Sequence, residues 1–149
     1  MQRVAEDSIL LDRVEVAVAD EKGIYRTLDQ GPVTLSPGQD VRVTLYWEAL
    51  DKVNGERTVS VRIEDSSGAL VAQHDMLPGD GSRPTSWWEP GWRFRDVYYL
   101  NVAPGAAPGP GSLDVVLYDS FTEERVEFDG GEDTIHLLPV NLVTRQPVE

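Results

Sequence analysis

The chain has 149 residues, with 26 acidic and 13 basic side chains and a formal net charge of −13. Such a surface repels phosphate backbones and anionic membrane faces, which excludes nucleic acid and adsorption to such membranes. Cysteine is absent, so disulfides, thiolate metal sites and cysteine nucleophiles are excluded, while 40% hydrophobic residues and four Trp are too many for a disordered chain.

Met1–Asp7 reaches acids at once, without the basic start and apolar run of a signal peptide. No stretch approaches the roughly 20 apolar residues of a membrane helix, so the chain as given is expected to be soluble and not inserted in a membrane. The length predicts one domain over residues 1–149, with its core between about 10 and 143.

Period two dominates, and no segment of helical length keeps a 3.6 period. Leu10, Val14, Val16 and Val18 are expected on one face of a first strand. Turn residues follow at Asp29-Gln30-Gly31-Pro32 and Ser36-Pro37-Gly38-Gln39. The clearest strand is Val41 to Glu48, with Val41, Val43, Leu45 and Trp47 inward and Arg42, Thr44, Tyr46 and Glu48 outward. Thr58 to Glu64 repeats the alternation. Asp65-Ser66-Ser67-Gly68 then turns it into Ala69 to His74, a hairpin. Residues 76–91 read as a long loop, Trp92 to Val102 as a strand, and Ala103 to Gly111, rich in Pro and Gly, as a crossover loop. Leu113, Val115 and Leu117 mark another strand, Arg125 to Phe128 a short one, and Ile135 to Val143 a last one covered on both faces. Seven to nine strands without helices predict an all-β fold of two packed, largely antiparallel sheets, with a closed barrel as the alternative.

The candidate chemistry lies in the long loop. Trp87, Trp88 and Trp92 stand within six residues, with Asp80, Arg83, Glu89 and Arg93 nearby. Flat aromatic faces stack on sugar C–H faces while the polar neighbours hydrogen-bond hydroxyls. The competing reading is that at least one of these Trp plugs the end of the sandwich. Trp47, on its alternating strand, is expected in the core. Asp119, Glu123, Glu124, Glu127, Asp129, Glu132 and Asp133, with Arg125 among them, form an acidic segment. Its carboxylates suit a hard cation such as calcium or simply two solvated turns, and the spacing fits no EF-hand loop. His74 and His136 lack zinc-site spacing, and no nucleophile elbow occurs, though a Ser–His–Asp triad assembles without local sequence signature. No cofactor, catalytic residue or metal ligand is expected. Arg93 and Arg95 are expected on an outward strand face in local ion pairs.

A series of motifs resembles a known family. Pro37-Gly38, Leu45-Tyr46-Trp47-Glu48-Ala49-Leu50 and Gly68-Ala69-Leu70-Val71-Ala72-Gln73-His74-Asp75 come first. Pro84-Thr85-Ser86-Trp87-Trp88-Glu89-Pro90-Gly91, Asp96-Val97-Tyr98-Tyr99-Leu100, and Leu117-Tyr118-Asp119 with Glu124-Arg125 follow. In this order they resemble a bacterial β-sandwich domain at the extracytoplasmic C-terminus of membrane glycosyltransferases of the dolichyl-phosphate-mannose mannosyltransferase type, also found as a separate chain. The resemblance runs from about Leu10 to Val143. It departs at Leu113 to Leu117, where the family has a Tyr-rich strand, and at Thr122-Glu123-Glu124-Arg125, where it has Thr-Gly-Glu-Arg. It implies an immunoglobulin-like sandwich attached to envelope glycan machinery, located outside the cytoplasm, and it transfers no catalytic residue. Its Trp-x-Pro-Gly pattern, matching Trp88 to Gly91, implies a structural Trp88. The expected function is a non-catalytic accessory or binding domain of the bacterial cell envelope, with carbohydrate or an envelope protein as partner. The alternatives are a structural or protein-interaction domain and a small β-sandwich hydrolase.

Overall fold

The computed structural model describes residues 2–28 and 31–144. In chain order its strands are β1 (Arg3–Ala5), β2 (Ile9–Ala19), β3 (Tyr25–Leu28), β4 (Val33–Leu35), β5 (Asp40–Ala49), β6 (Arg57–Glu64), β7 (Leu70–Met76), β8 (Arg93–Asn101), β9 (Gly109–Asp119) and β10 (Ile135–Leu142). A single 3-10 turn, Thr85–Trp87, interrupts the loop between β7 and β8. The first sheet runs β1-β2-β5-β8, with β3 pairing beside β1 on the same edge of β2. The second runs β4-β10-β9-β6-β7. All pairings are antiparallel except β4 with β10. The fold is an all-β sandwich of two sheets.

Alternation builds the core between the sheets. Val41, Val43, Leu45 and Trp47 of β5 meet Val59, Val61 and Ile63 of β6 and Leu113, Val115 and Leu117 of β9, all buried in one continuous cluster. On one side the edges of the two sheets touch. The Tyr99 N–H of β8 donates to His74 Nδ1 of β7 at 3.1 Å, and Ala103 N–H donates to Val71 O at 2.8 Å. These bonds occupy edge groups that would otherwise be open to another chain.

Several expectations are corrected. Leu10 does not share a face with Val14. The β2–β5 register shifts between Leu11 and Arg13, so Ile9 and Leu11 face inward before the bulge, and Val14 and Val16 face inward after it, opposite Leu45 and Val43. One extra residue, Asp12, reverses the alternation. Arg125 to Phe128 is no strand. It makes only the isolated bridges Tyr118–Arg125 and Ala5–Phe128, although Val126 and Phe128 are buried. The crossover loop is shorter than expected because β9 starts at Gly109. There β9 pairs with β10 alone, since β6 reaches it only from Ser112 onward. Pro110 therefore occupies an edge position, which proline tolerates. Gly111 is required by space: a Cβ there would collide with the Glu64 carbonyl oxygen. β10 ends at Leu142 and is only partly covered, with His136 and Pro139 exposed. The turn expected at Asp29–Pro32 has Asp29 and Gln30 outside the described residues. The short strands β1, β3 and β4 were not expected; three or four residues do not display a period.

Candidate functional site

The chain from Leu77 to Trp92 leaves β7 in one sheet and enters β8 in the other, across the end of the sandwich. It begins with a run of positive φ at Gly79, Asp80 and Gly81 (68°, 55° and 85°). The conformation costs little for Gly and more for Asp80, so other bonds must hold it. Gly79 N–H donates to Asp96 Oδ1 at 2.9 Å, and Arg83 N–H to Pro78 O at 3.0 Å. Next, buried Thr85 donates its hydroxyl to Gly55 O and accepts the Arg57 N–H, both at 2.9 Å. Ser86 N–H donates to Glu56 Oε1 at 3.1 Å. Gly91 N–H donates to Ala49 O, and Ala49 N–H to Trp92 O, at 2.7 and 2.8 Å, which ties the loop's last residues to β5. The loop is long but fastened at every few residues.

The three loop tryptophans separate. Trp88 is 1% exposed. Its ring packs against Trp47 and Phe94, with centroids 6.2 and 5.0 Å away, and its indole N–H donates to Arg83 O at 2.8 Å. The expectation that Trp88 could bind a ligand is thereby corrected: both its faces and its donor are spent on closing the sandwich. Trp47 is buried, as its alternation implied, and its indole N–H lies near the Asp96 carboxyl without a hydrogen bond of ordinary geometry among the described residues. Trp87 is 62% exposed and Trp92 is 37% exposed. Arg83 is exposed, with its guanidinium 5.8 Å from the Trp92 ring centroid, near the limit of a cation–π contact. Asp80 is exposed at the strained turn. Glu89 is engaged by Lys52 Nζ at 2.6 Å, and Arg93 by Glu48 at 2.8 Å. The structure therefore brings Trp87, Trp92, Arg83 and Asp80 to one solvent-facing loop, built on Trp88.

Beneath the loop lies Asp96, 2% exposed. Burial pushes its carboxyl above the usual carboxylate range, against the hydrogen bonds from Tyr98 Oη (2.6 Å) and Gly79 N–H that favour the charged form. Burial, with Asp96 beside it, likewise raises the Tyr98 phenol. Both groups are sealed and committed to holding the loop, so they have no free face for a substrate.

The other candidates come out as follows. Ser112, Asp114 and His136 do converge on the outer face of the second sheet, but not as a hydrolytic triad. Ser112 Oγ donates to Asp114 Oδ1 at 2.5 Å, and both Asp114 Oδ1 (2.7 Å) and Ser112 Oγ (3.2 Å) sit at the same His136 nitrogen, Nδ1. A triad needs the serine at one ring nitrogen and the carboxylate at the other. The acidic segment is mostly absorbed by its own turns. Asp119 accepts from Phe121 and Thr122 N–H and pairs with Arg57 at 3.2 Å; Asp129 holds Arg3 at 3.0 Å; Asp133 faces Arg125 at 3.6 Å. Among the described residues no three His, Asp or Glu side chains converge as metal ligands would.

One arrangement escapes the sequence reading: aromatic rings on the outer face of the first sheet. The Arg13 guanidinium lies 4.0 Å from the Tyr46 centroid, and that of Arg42 lies 4.8 Å from Tyr25, whose ring meets Tyr99 edge-on. Alternation puts Arg42 and Tyr46 outward, but only the pairing of β3, β2, β5 and β8 puts these groups side by side.

No protein-family model matches the chain, and no curated protein matches it. Solved structures do. The crystal structure of the C-terminal domain of Wzt aligns over 97% of this chain and 78% of that one, with a TM-score of 0.58 and 11% sequence identity. A β-glucuronidase from glycoside hydrolase family 2 aligns over 89% of this chain but only 13% of the enzyme, with a TM-score of 0.51 and 13% identity. These likenesses are of fold: both are to β-sandwich domains, one of them a minor part of a much larger glycoside hydrolase.

Proposed function

We propose that this chain is a non-catalytic accessory domain of the bacterial cell envelope that binds carbohydrate through the loop carrying Trp87 and Trp92. The carrying observation is that these two rings stand exposed at 62% and 37% on a loop fastened by Trp88, Thr85 and Asp96. An exposed Trp on a fixed loop presents a large rigid face without an ordering cost at binding. Arg83, near the Trp92 ring, supplies a donor for hydroxyls, and Asp80, exposed on the same loop, an acceptor. The sandwich's likeness to a minor part of a glycoside hydrolase supports an accessory role, at the level of fold analogy alone. The envelope setting rests on the ordered motifs from Leu45 to Arg125 that resemble the glycosyltransferase-associated domain.

The test is a glycan array probed with the whole chain and with Trp87→Ala and Trp92→Ala. The proposal expects binding to a limited set of glycans that both variants lose while remaining folded. Binding that survives both substitutions, or no binding to any glycan, would remove the loop from the account. Release of reducing ends from a bound glycan would overturn the non-catalytic assignment.

A further inference from the structure

The outer face of the first sheet holds a pocket of about 200 Å³ whose walls include Asp12, Tyr46, Glu48, Arg93 and Arg95. The β2 bulge supplies part of its wall. In register, Leu10 lies opposite Glu48, and Arg13 opposite Tyr46; the extra residue between them, Asp12, is delivered to the pocket wall. Bulges commonly re-aim one side chain in this way beside binding sites. The polar groups are held but not used up. Gln2 Nε2 donates to Asp12 Oδ1 at 2.7 Å, and Arg93 Nε donates to Glu48 Oε1 at 2.8 Å. The second oxygen of each carboxylate, and the whole Arg95 guanidinium, have no hydrogen-bond or ion-pair partner among the described residues. Arg13 covers one face of Tyr46 and fixes the ring.

We propose that this pocket is a second sugar subsite that takes one neutral pyranose ring, and that it and the tryptophan loop together read an oligosaccharide. The inference rests on the carbohydrate reading of the loop. Carboxylate acceptors and guanidinium donors beside the outward Tyr46, with Trp47 and Phe94 also in the lining, match a ligand whose hydroxyls both donate and accept. A carboxylate-bearing sugar would meet Asp12 and Glu48 in a protein of net charge −13; an amino sugar would meet Arg93 and Arg95. The volume is below the roughly 300–1,000 Å³ of drug-sized sites, which suits a single ring. The pocket also adjoins the loop, because Trp92 directly precedes Arg93 and its carbonyl pairs with Ala49, the neighbour of Glu48.

The experiment is a backbone-amide and indole NMR titration of the full chain. The probes are the methyl glycosides of glucose, mannose and galactose, methyl glucuronide, methyl glucosaminide, and linear trisaccharides of glucose and of mannose. The expected result is that a neutral methyl glycoside shifts the amides of Asp12, Tyr46, Glu48 and Arg95, and that a trisaccharide also shifts the Trp87 and Trp92 indoles. Arg95→Ala and Glu48→Gln should each weaken binding about tenfold or more, the worth of a hydrogen bond to a charged group, while His136→Gln on the other sheet changes nothing. Indole shifts with still pocket amides overturn the subsite and leave the loop reading intact. Pocket shifts with still indoles under the trisaccharides overturn the loop reading and the joint one. No shift at either place overturns both, and tighter binding of either charged glycoside overturns the neutral-ring assignment.

Discussion

Replacing Trp88 and Trp87 by Ala separates a structural ring from a presented one. Trp88 is 1% exposed, packs on Trp47 and Phe94, and donates its indole N–H to Arg83 O. Truncating a buried Trp costs about 3–5 kcal/mol. That loss is a large share of the roughly 5–15 kcal/mol by which domains are stable. For a chain of this size each kcal/mol moves Tm by about 2–4 °C, so Trp88→Ala should melt roughly 6–20 °C lower. Trp88→Phe keeps an aromatic ring and loses the N–H, at a cost of about 1–2 kcal/mol from the orphaned carbonyl and the smaller ring. Trp87 is 62% exposed, so Trp87→Ala should lie within about 0.5 kcal/mol of the parent. Urea denaturation followed by far-ultraviolet circular dichroism avoids using the fluorescence of the residues being removed. If Trp87→Ala costs as much as Trp88→Ala, or if Trp88→Ala costs less than about 1 kcal/mol, the description of the loop as built on Trp88 is wrong.

Three further outcomes follow from the same geometry. Asp96 carries a raised carboxyl pKa because of its burial, so the folded state holds that proton more tightly and stability falls as pH rises from the ordinary carboxylate value through the raised one. The Tm difference between Asp96→Asn and the parent should therefore move in the variant's favour as pH rises above the ordinary carboxylate value, and a pH-independent difference would count against it. Asp65 behaves oppositely: the Ser67 hydroxyl and the N–H groups of Ala107, Ser67 and Ala69 hold its carboxyl at about 2. Its stabilisation is present above the unfolded value and lost as pH falls towards the lowered one, so the deficit of Asp65→Asn should be full at neutral pH and shrink on acidification. Gly111→Ala, which forces a Cβ against the Glu64 carbonyl, should cost about 1–3 kcal/mol in urea melts, whereas Gly105→Ala, with nothing within 4 Å, should be close to neutral.

The long strands were legible because their period is two and both sheets pack one face. β5 and β6 fall where Val41–Glu48 and Thr58–Glu64 alternate. What alternation could not convey was a change of phase. Asp12 reverses the inward face of β2, and only pairing with β5 reveals it. Strands of three or four residues, such as β1 and β4, take their conformation from their partners, Leu11 for Arg3 in the adjacent strand and the distant Val140 for Val33. Composition likewise marked the tryptophan loop, and the Trp-Glu-Pro-Gly resemblance implied the buried role of Trp88. It could not sort Trp87 from Trp92, since their exposure depends on Thr85 reaching Gly55 and on Trp92 pairing with Ala49. The sheet-face pocket drew no signal for a similar reason: Asp12, Tyr46 and Arg95 sit on three different strands and meet only through the register.

Two of the four tryptophans, Trp87 and Trp92, are proposed to present a sugar-binding face, and the buried Trp47 and Trp88 hold the sandwich shut. Each indole N–H gives a separate signal in a nitrogen–proton correlation spectrum, so one titration with a glycan retained on the array addresses all four. The Trp87 and Trp92 indole signals should shift with added glycan while those of Trp47 and Trp88 stay in place. A titration in which Trp87 and Trp92 do not move, under conditions where the glycan is bound, would contradict it.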